Sequence, residues 1–181
     1  MILLFILFSF SLFANTIDIY SEKTAYNNKI FTFSEGFSIK EEGRVVTAKN
    51  GRLEYPHLTL ENSVSCNFDS HLLSSDRGVF NLKTERAEFT SNDFVTIKDS
   101  DLILFCKKAI ITKDKSLQLI DQAKIEFPTV SIRSDHINIS SLENAILIHG
   151  VFEGDYSAAS VNFFYEGDLV YDKEKKILQT Q

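Results

Sequence analysis

The sequence predicts an all-β fold made of short strands in a repeated unit, and three observations lead to that prediction. After about residue 15, apolar and polar residues alternate over short runs, which is typical of strands, while helical periodicity is almost absent. Two series of recurring residues keep a period of about 27–30 residues, enough for about five repeats. With only 7 Gly and 2 Pro, the connections are predicted to be short turns of Asn, Asp, Ser and Lys.

The alternating runs follow one another along the whole chain. No linker or low-complexity segment separates them, so a single domain is predicted over residues 15–181. The first unit contains three runs, with predicted turns at Asn27-Asn28 and at Glu35-Gly36. The runs of the chain include residues 17–19, 31–33, 37–39, 64–68, 95–97, 102–106, 117–119, 123–127, 130–132, 137–139 and 146–148.

Two kinds of residue mark the repeat. The first is a small residue followed by polar or charged ones, and its first three copies are evenly spaced along the chain. The second is an apolar residue that leads into a predicted turn, and it recurs at nearly the same period. The first series is Ser21-Glu22-Lys23, Ala48-Lys49-Asn50, Ser75-Asp76-Arg77 and Ser134-Asp135-His136, with weaker copies at Cys106-Lys107-Lys108 and Ala158-Ala159-Ser160. The second series is Phe33, Leu60, Phe89, Leu119 and Ile148.

The apolar residues change parity at the first series. Leu73 precedes Ser75 with one parity, and Phe80 and Leu82 follow it with the other. In a straight strand such a change would send the later side chains to the solvent face. A bulge or corner at the small residue would keep both halves facing one interior. We therefore predict a stack of bent β layers around one apolar interior, elongated along the repeat axis.

The N-terminal segment Met1–Ala14 is uncharged and mostly apolar. This run is too short to span a bilayer, which needs about 20 residues. It matches the apolar region of a secretory signal with Ala14 before the cut, although no basic residue precedes it. Residues 1–14 are therefore predicted to be a signal peptide, with a retained short anchor as the alternative.

The composition limits the chemistry that the chain can perform. A net charge of −6 and the lack of a basic cluster argue against nucleic-acid binding. The four histidines show no metal-ligand spacing and are predicted to be solvated, and Asp99-Ser100-Asp101 is predicted to be a turn rather than a calcium loop. No catalytic residue, metal site or cofactor is predicted, and the chain is not expected to be an enzyme. The histidines are His57, His71, His136 and His149.

Two features of the interior remain open at this point. Export would make Cys66 and Cys106 candidates for a disulfide, whereas inward positions on strands would make them small buried residues. The interior itself is either a packed core or, in part, an open groove lined by Phe, Ile, Leu and Val. Such a groove would suit acyl chains, since each buried methylene contributes about 0.8 kcal/mol.

Residues of the first and third units resemble the OstA family, most of all its soluble LptA-like members. The family pattern reads Ile-x-Ile-x-Ser-Asp, then Phe-x-Gly-Asn-Val, then Ala-Asp. Similarity extends over about residues 16–125, and only the first unit keeps the glycine of the family's Gly-Asn-Val. The residues that carry it are Ile17-x-Ile19-x-Ser21-Glu22-Lys23, Phe31-x-Phe33-x-x-Gly36-Phe37-x-Ile39, Val46-Thr47-Ala48-Lys49, Ser75-Asp76, Phe80-Asn81-Leu82 and Phe89-Thr90-Ser91-Asn92.

The resemblance implies a twisted, slightly open β-jellyroll in the periplasm, with open ends and end-to-end self-association. Lipopolysaccharide would move along the interior with its lipid A acyl chains in the groove. The partners would be inner-membrane transporter subunits and the outer-membrane translocon. The matched positions implied to line the groove are Ile17, Ile19, Phe80 and Leu82, to which parity adds Phe31, Phe33, Phe37, Ile39 and Val46.

Other functions fit part of the pattern. A membrane-anchored LptC-like member shares the motif, as does the related domain of the outer-membrane translocon. A structural or adhesive β-solenoid with a closed core would bind no ligand. A carbohydrate-binding sandwich is disfavoured because the chain has no Trp and no obvious exposed aromatic platform.

Overall fold

The computed structural model of the chain describes residues 18–41, 44–68, 71–99, 101–114, 116–141, 145–156 and 161–180. These residues form one antiparallel sheet of thirteen strands and contain no helix, which confirms the all-β prediction. Residues 1–17, including the predicted signal and Ile17, lie outside the described residues, as does the weak repeat copy at 158–160. The strands are β1 (Asp18–Asn27), β2 (Ile30–Glu41), β3 (Arg44–Ala48), β4 (Asn50–Glu54), β5 (His57–Phe68), β6 (His71–Asn81), β7 (Arg86–Lys98), β8 (Ile103–Ile111), β9 (Ser116–Glu126), β10 (Val130–Ser141), β11 (Ala145–Tyr156), β12 (Val161–Asp172) and β13 (Ile177–Thr180).

The strands pair in sequence order, so that the chain forms a series of long hairpins. Only β4 leaves this order: it continues β3 and pairs with β2 and β5. The β1–β2 turn is formed by Asn28 and Lys29, which both have positive φ, one residue later than predicted. The turns after β6 and β12 share one design, in which Asn81 or Asp172 accepts two backbone N–H groups of its own turn. Each predicted repeat of about 27–30 residues thus corresponds to one hairpin of two successive long strands, with β3 and β4 together counting as one strand.

A corner lies inside β1, β6, β8 and β10, and between β3 and β4, at the predicted first series. At each of these positions one residue leaves the ladder of paired strands, which reverses the parity of the residues that follow. The small residue before it points inward, and where it is serine its side chain bonds the backbone. The hydroxyls of Ser21, Ser75 and Ser134 each donate to the carbonyl two residues on, at 2.8, 3.2 and 2.9 Å. The residues that leave the ladder are all charged: Glu22, Lys49, Asp76, Lys107 and Asp135.

A second kind of corner lies inside the alternate strands. Here an even number of residues leaves the ladder, two in β2, β5 and β9 and four in β7, so the parity is kept across the bend. In β5 and β9 the residues are Asn62-Ser63 and Asp121-Gln122, all with positive φ. In β2 they are Glu35-Gly36, and the prediction of a turn between two separate strands at that position is wrong. Gly36 has φ +111°, a conformation that strongly favours glycine.

The corners divide the sheet into two arms. Phe33 and Phe37 lie on opposite sides of one corner with ring centroids 4.9 Å apart. Buried residues from both arms belong to one hydrophobic cluster, so the predicted bent layers around one interior are confirmed. The first arm consists of residues 18–21, 37–41, 44–48, 64–68, 71–75, 95–98, 103–106, 123–126, 130–133, 152–156 and 161–166. The second arm consists of residues 23–27, 30–33, 50–54, 57–61, 77–81, 86–90, 108–111, 116–120, 137–141, 145–150, 167–172 and 177–180.

Large and small residues alternate along the second arm beside the corners. The large residues are those of the predicted second series, which point inward rather than lead into turns. Between them lie Gly51 and Gly78, which occupy equivalent positions in successive repeats. A Cβ on Gly78 would stand 3.2 Å from the Phe89 ring, and one on Gly51 would stand 3.1 Å from Leu60. The small residues therefore make room for the large ones of the neighbouring strands.

Candidate functional site

The inward face of the first hairpin is apolar on the first arm and reaches solvent at β1. Directly opposite residues of an antiparallel pair share a face. Ile19 lies opposite Ile39, which in turn lies opposite Val46. Ile39 and Val46 are buried, whereas Ile19 is 50% exposed, because β1 stands at the end of the strand order. The apolar interior is thus accessible from this end.

A row of four aromatic rings runs from the same end into the core. Tyr26 lies opposite Phe31 with ring centroids 4.6 Å apart, and both are exposed. Phe31 is followed by Phe33 at 6.5 Å and Phe33 by Phe37 at 4.9 Å, and these last two rings are buried. We call Tyr26, Phe31, Phe33 and Phe37 the aromatic ladder. It joins the solvent-exposed end of the second arm to the buried base of the first arm.

Phe80 and Leu82 lie farther along the sheet, in and just after β6. Phe80 is buried and meets Phe89 edge to face at 5.4 Å. Leu82 begins the turn after β6, is partly buried against the core, and donates its N–H to the Pro56 carbonyl at 2.8 Å. The structure therefore places six predicted residues together in the first two hairpins and these two in the third. All eight described residues of the predicted groove belong to, pack against or share the inward face of the core.

Tyr26 was not among the predicted groove residues. The parity change at Ser21 puts Tyr26 on the inward face, so the signal was present in the sequence. Tyr26 lies outside the positions that match the family and outside the alternating apolar runs.

The interior farther along the chain is closely packed between the arms. A small void with no room for a water molecule lies there between Leu104 and Ile125 of the first arm and Ile139 and Ile148 of the second. Each of these residues is at most 2% exposed. The apolar face is therefore open at β1 and β2 and filled in this region.

A separate groove of about 1010 Å³ lies on the outer surface of the last strands. Its rim includes Phe164, which is 69% exposed, and Phe94, which carries Lys107 over its ring at 4.6 Å. Single exposed aromatic residues are thus present on this surface. Three cationic or histidine side chains of the groove already have partners, however: Arg133 bonds Asp155 at 3.0 Å, and Lys124 and His149 bond Glu126 and Asp168.

The histidines divide between the surface and the core. His57, His136 and His149 are exposed, as predicted, but His71 is only 2% exposed, so that prediction is wrong for His71. Its Nε2 lies 3.2 Å from the Asp99 carboxylate, which is itself mostly buried. His71 shares the inward parity of Leu73 and Ser75, which is the physical reason for its burial.

The two cysteines are free and buried on the inward face. Cys66 and Cys106 lie in β5 and β8, three strands apart in the sheet, which is too far for a disulfide. Burial raises the pKa of both thiols, that of Cys106 to about 12. They act as small apolar residues.

The described residues hold no group of three or more His, Cys, Asp or Glu side chains placed to bind a metal ion. Within that same part of the chain, no helix has the length and apolar character needed to cross a membrane. The absence of catalytic function stays a prediction.

Comparison with known proteins identifies no family. No protein-family model matches the sequence, and no curated protein matches it. Among solved structures, a similar chain is LptH of Pseudomonas aeruginosa, described as the LptA-homologous periplasmic component of the lipopolysaccharide transport device. The alignment covers 91% of this chain and 80% of LptH at 10% identity, with a TM-score of 0.26. These values are too low for the match to identify a function.

Proposed function

We propose that the chain is a lipid-binding protein of the lipopolysaccharide transport pathway, whose interior takes up the lipid A acyl chains. The observation that carries the proposal is the aromatic ladder, which leads from exposed Tyr26 and Phe31 to buried Phe33 and Phe37. Exposed apolar rings that continue into a core offer an acyl chain an uninterrupted apolar path.

The energetic basis is the removal of acyl chains from water. Each methylene that enters the interior contributes roughly 0.8 kcal/mol, so a lipid with several long chains gains tens of kcal/mol before opposing terms. Ordering of the chains and their departure from the membrane offset much of that gain. A groove with a graded apolar lining can therefore hold a lipid and still release it.

The sequence resemblance to the OstA family supports the choice of lipid and compartment. It implies a location in the periplasm after export, between inner-membrane transporter subunits and the outer-membrane translocon. End-to-end stacking would use the outer edges of β1 and β13, the two ends of the strand order among the described residues. A membrane-anchored LptC-like role is the close alternative, and sequencing the N-terminus of the mature protein separates the two. A start at Asn15 supports the soluble role, and an intact Met1 supports the anchored one.

Lipid extraction tests the proposal. The protein, purified from a cell envelope that contains lipopolysaccharide, is expected to carry that lipid, which mass spectrometry of the organic extract detects. Replacement of Phe31 by Asn should reduce the bound lipid without lowering the melting temperature strongly, since Phe31 is 40% exposed. Lys29→Ala, in the exposed turn before the same strand, is the matched control and should leave the bound lipid unchanged. A blank extract from the wild-type protein would contradict the proposal.

A second candidate function is a structural β-solenoid without a ligand. The close packing of Leu104, Ile125, Ile139 and Ile148 favours it, because no cavity of lipid size lies between these residues. Under this alternative, Phe80→Asn destabilises the fold and no variant affects transport. Under the proposed function, variants of the two exposed residues of the aromatic ladder, Tyr26 and Phe31, impair lipid binding with little change in stability.

A further inference from the structure

An ion pair joins the two arms at the open side of the folded sheet. Asp101 lies in the turn before β8, at the rim of the first arm, and Lys176 lies in the turn before β13, at the rim of the second. The Lys176 Nζ lies 2.6 Å from the Asp101 Oδ1. Four strand spacings, each about 4.8 Å, separate β8 from β12 within the sheet. The two residues meet only because the arms fold over each other.

A second contact lies beside this ion pair. Phe127, just after β9 on the first arm, packs against Tyr171 of β12 on the second arm, with ring centroids 4.8 Å apart. Leu102, next to Asp101, is buried, and so is Tyr171. Leu102 and Phe127 also line the small void between the arms. The rim contacts and the packed interior therefore belong to one closed region.

The closed region contrasts with the open end of the molecule. Tyr26 and Phe31 face inward from the second arm but remain exposed. An acyl chain that enters there meets the aromatic ladder first. It can reach Ile139 and Ile148 only if the arms move apart, because the space between the arms at these residues is filled.

We propose that Asp101–Lys176 and Phe127–Tyr171 form a latch that holds the far part of the interior closed until a lipid is passed through it. This inference rests on the proposed function, since it assigns the control of that groove. We call the four residues the rim latch. It separates a receiving section, which starts at β1 and β2, from a section that opens only when a lipid enters it.

The contacts of the rim latch suit a closure that can be opened. The side chain of Lys176 is 57% exposed and that of Asp101 is 26% exposed, so water competes for the ion pair. The hydrogen bond to Asp101 and the charge of Asp101 raise the pKa of Lys176, which keeps Lys176 protonated at neutral pH. The Phe127–Tyr171 contact is apolar, and an acyl chain can replace either ring as a packing partner.

A zero-length cross-link provides the test. A carbodiimide activates the Asp101 carboxyl, and the Lys176 amine then displaces the urea to form an amide, which locks the latch. Lys176→Arg is the matched control, because it keeps the positive charge but does not form the amide, while other ion pairs such as Glu88–Lys108 react equally in both proteins. A lipopolysaccharide with a diazirine in one acyl chain is the probe, and mass spectrometry maps the labelled peptides.

In wild-type protein we expect the treatment to reduce labelling at least fivefold in the strands of Leu104, Ile125, Ile139 and Ile148. Labelling at Tyr26–Ile39 should stay unchanged. Treated Lys176→Arg should keep both. Equal labelling of the far strands in the two treated proteins would overturn the latch. Labelling confined to Tyr26–Ile39 in untreated protein would overturn it as well, because the far interior would then not take up lipid at all. An absence of inward labelling everywhere in untreated protein would refute the proposed function itself and, with it, the latch.

Discussion

Phe33 and Phe37 lie in one strand, on either side of a bend, with ring centroids only 4.9 Å from each other. In a straight strand their Cα atoms would be about 13 Å apart. The two rings meet because β2 bends at Glu35-Gly36, where both residues have positive φ. The same geometry recurs at the other corners, since each corner turns the two stretches of chain beside it toward the same interior.

Gly36→Ala should destabilise the fold, because φ +111° at this residue is strained for any side chain. The expected loss is about 1–3 kcal/mol in the free energy of unfolding, measured by denaturant titration. Ser38→Ala, two residues further along the same strand, is the control and should not be destabilised, since it removes a buried hydroxyl that has no hydrogen-bond partner in the described part of the chain. Equal stability of the Gly36→Ala and wild-type proteins would mean that the corner is not required.

Ser134→Ala should weaken the corner of β10. The Ser134 hydroxyl donates to the His136 carbonyl at 2.9 Å and accepts from the His136 N–H at 3.2 Å. We expect a loss of about 0.5–1.5 kcal/mol in unfolding free energy, measured by denaturant titration. Ala48→Ser, which adds a hydroxyl at the equivalent corner between β3 and β4, should not show that loss. A neutral Ser134→Ala would leave small size alone as the reason for serine in the first series.

The Asp76 carboxylate links neighbouring corners, and its effect on stability should depend on pH. It accepts the Asn92 N–H at 2.8 Å and the Ser91 hydroxyl at 3.0 Å, and these bonds lower the pKa of Asp76. A lowered pKa stabilises the folded state above the ordinary value of 3.8, and that contribution is lost as the pH falls through the lowered value. Asp76→Ala should therefore lower the melting temperature at pH 7 and have progressively less effect below pH 3.8. A difference that is constant with pH would contradict the assignment.

Tyr171→Phe should stabilise the protein. The Tyr171 hydroxyl is buried without a hydrogen-bond partner in the described residues, and burial raises its pKa, with a smaller contribution from Asp101. Removal of an unpaired buried hydroxyl should add about 1–3 kcal/mol to the unfolding free energy, while the Phe127 ring contact is kept. Tyr156→Phe, at an exposed position, is the control. A destabilised Tyr171→Phe variant would show that the hydroxyl has a partner, such as a bound water.

The bends at the first series were predictable because one residue leaves the ladder there, which reverses the parity of the apolar residues in the sequence. The bends in the alternate strands were not, because the loss of two residues, such as Asn62-Ser63, leaves parity unchanged. Except at Gly36, the residues with positive φ at these bends are not glycine, so the sequence carries no clear signal of a bend there. At Glu35-Gly36 the glycine is equally typical of a turn between two strands, which is what the sequence predicts.

The contact between the rims of the two arms could not be predicted from the sequence. Asp101 and Lys176 are 75 residues apart, and their contact depends on how far the sheet twists over several strands. The burial of His71, by contrast, could have been predicted from its parity with Leu73. The groove residues stay a prediction, since inward orientation follows from parity but lipid contact does not.

Site-specific photo-crosslinking with lipopolysaccharide tests the central claim most directly. A photo-reactive residue at Ile19, half-exposed on the inward face, or at Phe80, buried beside Phe89, is predicted to label the lipid. The same residue at Glu22, which leaves the ladder at the outer corner of β1, is predicted not to label it. Labelling at Glu22 alone, with Ile19 and Phe80 silent in folded protein, would contradict an interior that holds acyl chains.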